Sequence, residues 1–187
     1  EIRVTPIDEA NTKVDVEHLA RMIQRDGGRG LIGLAGVQTN QYPRTLDIGR
    51  KCREHGLQVC IGGFHVSGIL AMLPGPTPEL KEATDLGISL YAGESETRFD
   101  EVLIDAFKGE LKPIYNYLND LPNVEGEPPP FMPVDRVYRT LSKVTSFDAG
   151  RGCPFVCSFC SIINVHGRKS RFRGPDDVER VIRDNKA

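Results

Sequence analysis

Short apolar runs alternate with longer stretches of helical period, each pair closed by glycine, and this alternation constrains the chain more than any other feature. Gly30–Val37 is a continuous apolar run, and Leu57–Ile61 and Ile88–Ala92 repeat the pattern. Runs of that kind suit strands buried on both faces of a parallel sheet. Between them lie segments whose apolar residues recur at helical spacing. Val14–Arg25 carries Val16, Leu19, Ala20, Met22 and Ile23, and Arg44–His55 follows Pro43 and stops at Gly56. Pro78–Leu86 and Arg98–Lys108 predict two further helices, and Glu1–Ile7 a short opening strand. The whole predicts an α/β fold with a doubly wound parallel sheet, Rossmann-like or flavodoxin-like, whose ligands sit outside the carboxyl ends of the strands. Three loops fall there: Gln38-Thr39-Asn40, Gly62-Gly63-Phe64-His65 and Gly93-Glu94-Ser95. Glycine in such loops lets a ligand approach the backbone, although glycine also ends strands in any fold.

Composition removes several classes. The chain has 187 residues, 39% hydrophobic, with 24 basic against 26 acidic side chains. Its longest near-apolar stretch, Leu31–Val37, is far short of the roughly 20 residues of a membrane span, and no signal peptide opens the chain. No membrane span is expected, and a cytoplasmic protein with reduced thiols is. The chain begins at Glu1 without Met, which suggests a fragment. Charge is uneven: residues 1–135 hold 13 basic and 21 acidic side chains, and residues 136–187 hold 11 and 5. The two regions are expected to do different work. Pro113, Pro122, Pro128-Pro129-Pro130 and Pro133 interrupt any period in between. The boundaries expected are therefore a sheet domain over 1–112, a Pro-rich linker over 113–143 and a further piece over 144–187. That piece opens with a strand at Val144–Asp148 and closes with a helix from Pro175.

The most specific motif is Gly152-Cys153-Pro154-Phe155-Val156-Cys157-Ser158-Phe159-Cys160. Three thiolates spaced by three and then two residues can wrap one compact centre from a single loop, and an iron–sulfur cubane with three protein ligands keeps one iron open. Zinc is a rival, with His166 as a fourth ligand. A dithiol made from Cys157 and Cys160 is another, although it leaves Cys153 unexplained. The basic loop His166-Gly167-Arg168-Lys169-Ser170-Arg171-Phe172-Arg173 could pair with RNA phosphates, with Phe172 stacking on a base, or form a solvated edge.

At Cys153, Cys157, Phe159 and Cys160 the sequence resembles the radical SAM superfamily, whose signature is CxxxCxxC with an aromatic before the last cysteine. The resemblance implies the start of a partial (β/α) barrel, with Cys153, Cys157 and Cys160 holding a [4Fe–4S] cluster. S-adenosylmethionine would bind its open iron, Phe159 would lie near the adenine, and an external electron donor would reduce the cluster to yield a 5′-deoxyadenosyl radical. Tyr42-Pro43-Arg44, Gly62-Gly63-Phe64-His65 and Gly93-Glu94-Ser95-Glu96 resemble the cobalamin-binding domain of one subgroup, with its first strand missing. By that resemblance Gln38, Thr39, Gly62, Gly63, Gly93 and Glu94 would cradle cobalamin, although the Asp-x-His-x-x-Gly motif of many cobalamin proteins is absent. The implied activity is radical chemistry, such as methyl transfer or rearrangement, on a small-molecule or lipid substrate that the sequence leaves unnamed. Only 27 residues follow Cys160, so this piece alone is expected to be inactive. Nucleic acid is not the expected partner; the alternative reading is a non-catalytic metal- or RNA-binding module built on the same cysteines and basic loop.

Overall fold

The apolar runs pair with one another. In the computed structural model, which describes residues 2–9, 12–75, 77–128 and 147–184, they become β1 (Leu31–Leu34), β2 (Gln58–Gly62) and β3 (Ser89–Ala92). With β4 (Ile114–Asn116) they form a parallel sheet in the order β1-β2-β3-β4. Every residue of β3 is buried, as befits a central strand covered on both faces.

Helices cover the two faces because successive strand residues point to opposite sides. Val59, Ile61, Ile88 and Leu90 pack with Ala20 of α1 (Val16–Arg25), Leu46 and Cys52 of α2 (Tyr42–Glu54), Val66 of α3 (Phe64–Met72) and Leu80 of α4 (Pro78–Asp85). Cys60, Tyr91 and Tyr115 face the other way, against Val102 of α5 (Phe99–Lys108). Local signals set the helix ends. The Asp15 side chain accepts from the His18 N–H to cap α1, Pro43 sits in the first turn of α2, and Gly109 closes α5 in the left-handed conformation. No helix among the described residues is long and apolar enough to cross a membrane.

Several expectations need correction. Residues 2–7 form no strand; Ile2 and Val4 lie exposed without a sheet partner. The Gly62–His65 segment is a loop only as far as Gly63, because Phe64 begins α3, a helix apolar on nearly every side that shows no amphipathic stripe. Three residues of the expected linker form β4, kept short by Pro113 before it. The described strands run in consecutive order, so no topological switch point lies among them. Of the expected strand at Val144–Asp148, residues 144–146 lie outside the described residues, and 147 and 148 are not extended in a ladder.

The cysteine segment does not open a (β/α) barrel. β5 (Gly150–Arg151) pairs antiparallel with β6 (Arg171–Phe172), so the segment is a wide loop returning on itself rather than a strand feeding a parallel neighbour. The one-turn helix α6 (Ile162–Val165) lies within that loop, and α7 (Pro175–Asp184), which starts where the sequence placed it, comes after β6.

Gly63 shows how tightly the strand ends are packed. Its φ is +142°, and a Cβ there would stand 2.2 Å from the Val37 nitrogen and 2.7 Å from the Val37 oxygen. Backbone cannot yield as a side chain can. Gly63→Ala is therefore expected to destabilise the fold by more than about 2 kcal/mol in urea unfolding. Gly33→Ala, where nothing lies within 4 Å of the added carbon, should stay within about 1 kcal/mol of the parent. Equal losses from the two would refute the close approach.

Candidate functional site

The carboxyl edge of the sheet is knitted by its own backbone. The Val37 N–H donates to the Gly62 oxygen at 3.1 Å, and the His65 N–H donates to the Val37 oxygen at 3.0 Å. One strand over, the Gly93 N–H donates to the Ser67 hydroxyl at 3.1 Å, and a Cβ on Gly93 would meet the Tyr117 carbonyl carbon at 2.9 Å. Gly63 and Gly93 therefore sit hard against neighbouring backbone, whereas a Cβ on Gly62 would make only an ordinary contact with Tyr91, at 3.4 Å. The β1 loop differs: Gly36, Gln38 and Thr39 are exposed, and nothing lies within 4 Å of a Cβ built on Gly36. His65 is buried with its ring against Tyr42, 4.1 Å between centroids, and its Nε2 stands 3.3 Å from Glu79. Burial holds its pKa below the usual histidine value, against the pull of Glu79.

Glu94, also expected to touch cobalamin, points into the protein. Its side chain is 2% exposed and gathers donors from the cysteine segment alone. Arg151 Nη1 donates to Oε2 at 2.9 Å, Arg171 Nη1 donates to Oε2 at 2.9 Å while its Nη2 donates to Oε1, and His166 Nδ1 lies 2.8 Å from Oε1. A buried carboxylate is costly unless paired and hydrogen-bonded, and here it is both. Arg151 also reaches Glu96 at 2.7 Å and Asp148 at 2.7 Å. Arg173, whose side chain is wholly buried, donates to the Asp148 and Glu127 carbonyls at 2.8 and 2.6 Å. Two of the four cations in the basic loop are thus spent inside the protein, which corrects the RNA-binding alternative. His166 faces a carboxylate and the Phe64 ring, 5.1 Å away between centroids, rather than the cysteines, which removes it as a zinc ligand.

The cysteine loop itself turns outward. Cys157 is exposed, Cys153 and Cys160 are half-buried, and all three are free thiols. The Cys153 N–H donates to the Gly167 oxygen at 3.1 Å, and the Cys160 N–H donates to the Cys157 oxygen at 3.2 Å. Among the described residues no group of three or more His, Cys, Asp or Glu side chains is placed to hold a metal ion. The expected convergence of Cys153, Cys157 and Cys160 on one cluster is corrected accordingly. Phe155, Val156 and Phe159 stand in solvent, Phe159 at 90% exposure.

No family model and no solved structure matches the chain. Over 136 residues it is 33% identical to the bacteriochlorophyllide d C-12(1)-methyltransferase of Chlorobaculum tepidum, covering 70% of this chain and 27% of that protein. Over 178 residues it is 29% identical to the bacteriochlorophyllide d C-8(2)-methyltransferase of the same organism, covering 91% of this chain and 36% of that protein. The chain is similar to methyltransferases. It spans between about a quarter and about a third of the length of these relatives. The methyltransferase relationship replaces the radical SAM assignment drawn from the cysteine spacing, and with it the [4Fe–4S] cluster and cobalamin.

Burial alone would raise the Glu94 carboxyl, but the hydrogen bonds from Arg171, His166 and Arg151 overrule it and hold the pKa at about 2. A depressed carboxylate stabilises the folded arrangement above its ordinary value of 4.5 and loses that contribution as pH falls through about 2. The shift corresponds to on the order of 3 kcal/mol favouring the docked segment at neutral pH. Carboxyl NMR titration should place Glu94 near the bottom of the accessible range in the parent and return it towards 4.5 in Arg171→Met. An unchanged Glu94 titration in that variant would show that the arginine is not the cause.

Proposed function

We propose that this chain is part of a methyltransferase that modifies a chlorophyllide-type tetrapyrrole, with S-adenosylmethionine as the source of the methyl group. The observation that supports this reading is the similarity to two methyltransferases named for the same substrate, bacteriochlorophyllide d, one reaching over 91% of this chain. They are named for different positions on that substrate, C-12(1) and C-8(2), so the common element is methyl transfer to this macrocycle rather than one carbon of it. The four-stranded α/β sheet suits such a role, because its open β1 loop carries exposed Gly36, Gln38 and Thr39 where strand ends present backbone to ligands. Phe159, exposed on the cysteine loop, is the side chain proposed to contact the adenine of the methyl donor.

The test uses the protein as it occurs in its own source, supplied with S-adenosylmethionine labelled in the methyl group and with bacteriochlorophyllide d. Label recovered in the pigment, at a position located by mass spectrometry and NMR, is the expected result, reduced at least tenfold by Phe159→Ala as an order-of-magnitude loss of one ligand contact. Pigment that stays unlabelled while a control methyltransferase labels it would overturn the proposal.

A further inference from the structure

We propose that Glu94 is the catch of a latch that holds the cysteine segment, residues 150–173, against the carboxyl edge of the sheet. When that single carboxylate is neutralised or displaced the segment opens as a unit, exposing Cys153 and Cys160 while the sheet stays folded. The inference goes beyond the methyl-transfer reading and does not depend on it.

Four observations carry it. The donors to Glu94 from Arg151, His166 and Arg171 all belong to the one segment, so losing the carboxylate removes three anchors together. The segment's own buried apolar residues, Ile163 and Val165, belong to neither core cluster of the sheet, so both clusters can stay intact when the segment leaves. The closed seam is also incompletely satisfied: the Arg171 Nε is buried without a hydrogen-bond partner, a cost relieved on opening. The loop that carries Glu94 is strained as well, since Thr97 sits at φ 62°, an uncommon conformation for a residue with a branched side chain. Pairing of this kind is strong while complete and weak once one partner is lost. The loop after β3 and the cysteine loop are thereby coupled, and whatever moves the first releases the second.

The five cysteines supply the experiment and its controls. Cys52 and Cys60 are buried in the two core clusters and report the sheet, Cys157 is already exposed, and Cys153 and Cys160 report the segment. Alkylation under native conditions, tracked site by site with peptide mass spectrometry, should be about tenfold faster or more at Cys153 and Cys160 in Glu94→Gln. Cys52, Cys60 and Cys157 should keep the parent's rates. Glu94→Asp, which keeps the charge, should restore much of the protection. Unchanged rates at Cys153 and Cys160 would overturn the latch. Equal acceleration at Cys52 and Cys60 would overturn it too, because the segment would then open only with the whole fold. If Glu94→Gln does not fold, Glu96→Gln removes one acceptor of Arg151 and leaves Glu94 in place; it should speed the same two cysteines by a smaller factor, and no change there would equally refute the proposal.

Discussion

A carboxylate buried at the end of the third strand organises half of this molecule. Glu94 could not stay ionised at that depth without donors, and the chain supplies them from more than fifty residues downstream, in Arg151, His166 and Arg171. Once those three are committed, the position of the cysteine segment is set. β5 and β6 pair beside Glu94, α6 lies against α3, and Cys153 and Cys160 are left half-buried with Cys157 exposed. Glu96 and Asp148 complete the arrangement by sharing Arg151, and Asp148 passes the connection on to Arg173.

This use of the strand ends changes what the sheet can offer a ligand. The carboxyl edge of an α/β sheet ordinarily presents glycine loops to a cofactor. Here the loops after β2 and β3 are packed against backbone at Val37 and Tyr117, and Glu94 is turned to the protein. The exposed places are the β1 loop at Gly36, Gln38 and Thr39 and the aromatic face of the cysteine loop at Phe155 and Phe159.

Much of the fold was legible in the order of residues. Helices α1, α2, α4 and α5 announce themselves by an apolar stripe, a proline in the first turn or a glycine at the end, and β1, β2 and β3 by apolar runs between turns. α3 was not legible, because FHVSGILAM has no polar face and its burial against the strand ends depends on what packs there. β4 was hidden by length and by Pro113, since three residues show no period. The candidate site was legible only as a set of residue types. The cysteine spacing pointed to a metal centre, and the glycine loops to a cofactor; among the described residues the thiols do not converge on a metal site, and Gly63 and Gly93 lie hard against neighbouring backbone.

The sequence by itself determined the alternation of strands and helices, because the periods of apolar residues and the chemistry of caps and turns act over a few neighbouring positions. It also determined that residues 136–187 carry the excess of positive charge. Where those charges go was a tertiary decision. Arg151, Arg171 and Arg173 are indistinguishable in the sequence from the exposed Arg168, and only the folded sheet, by burying Glu94 and bringing Asp148 and Glu127 within reach, makes pairing inside the protein more favourable than hydration. Burial is a property of the whole arrangement, so the same guanidinium group can be a surface cation in one place and the anchor of a buried carboxylate in another.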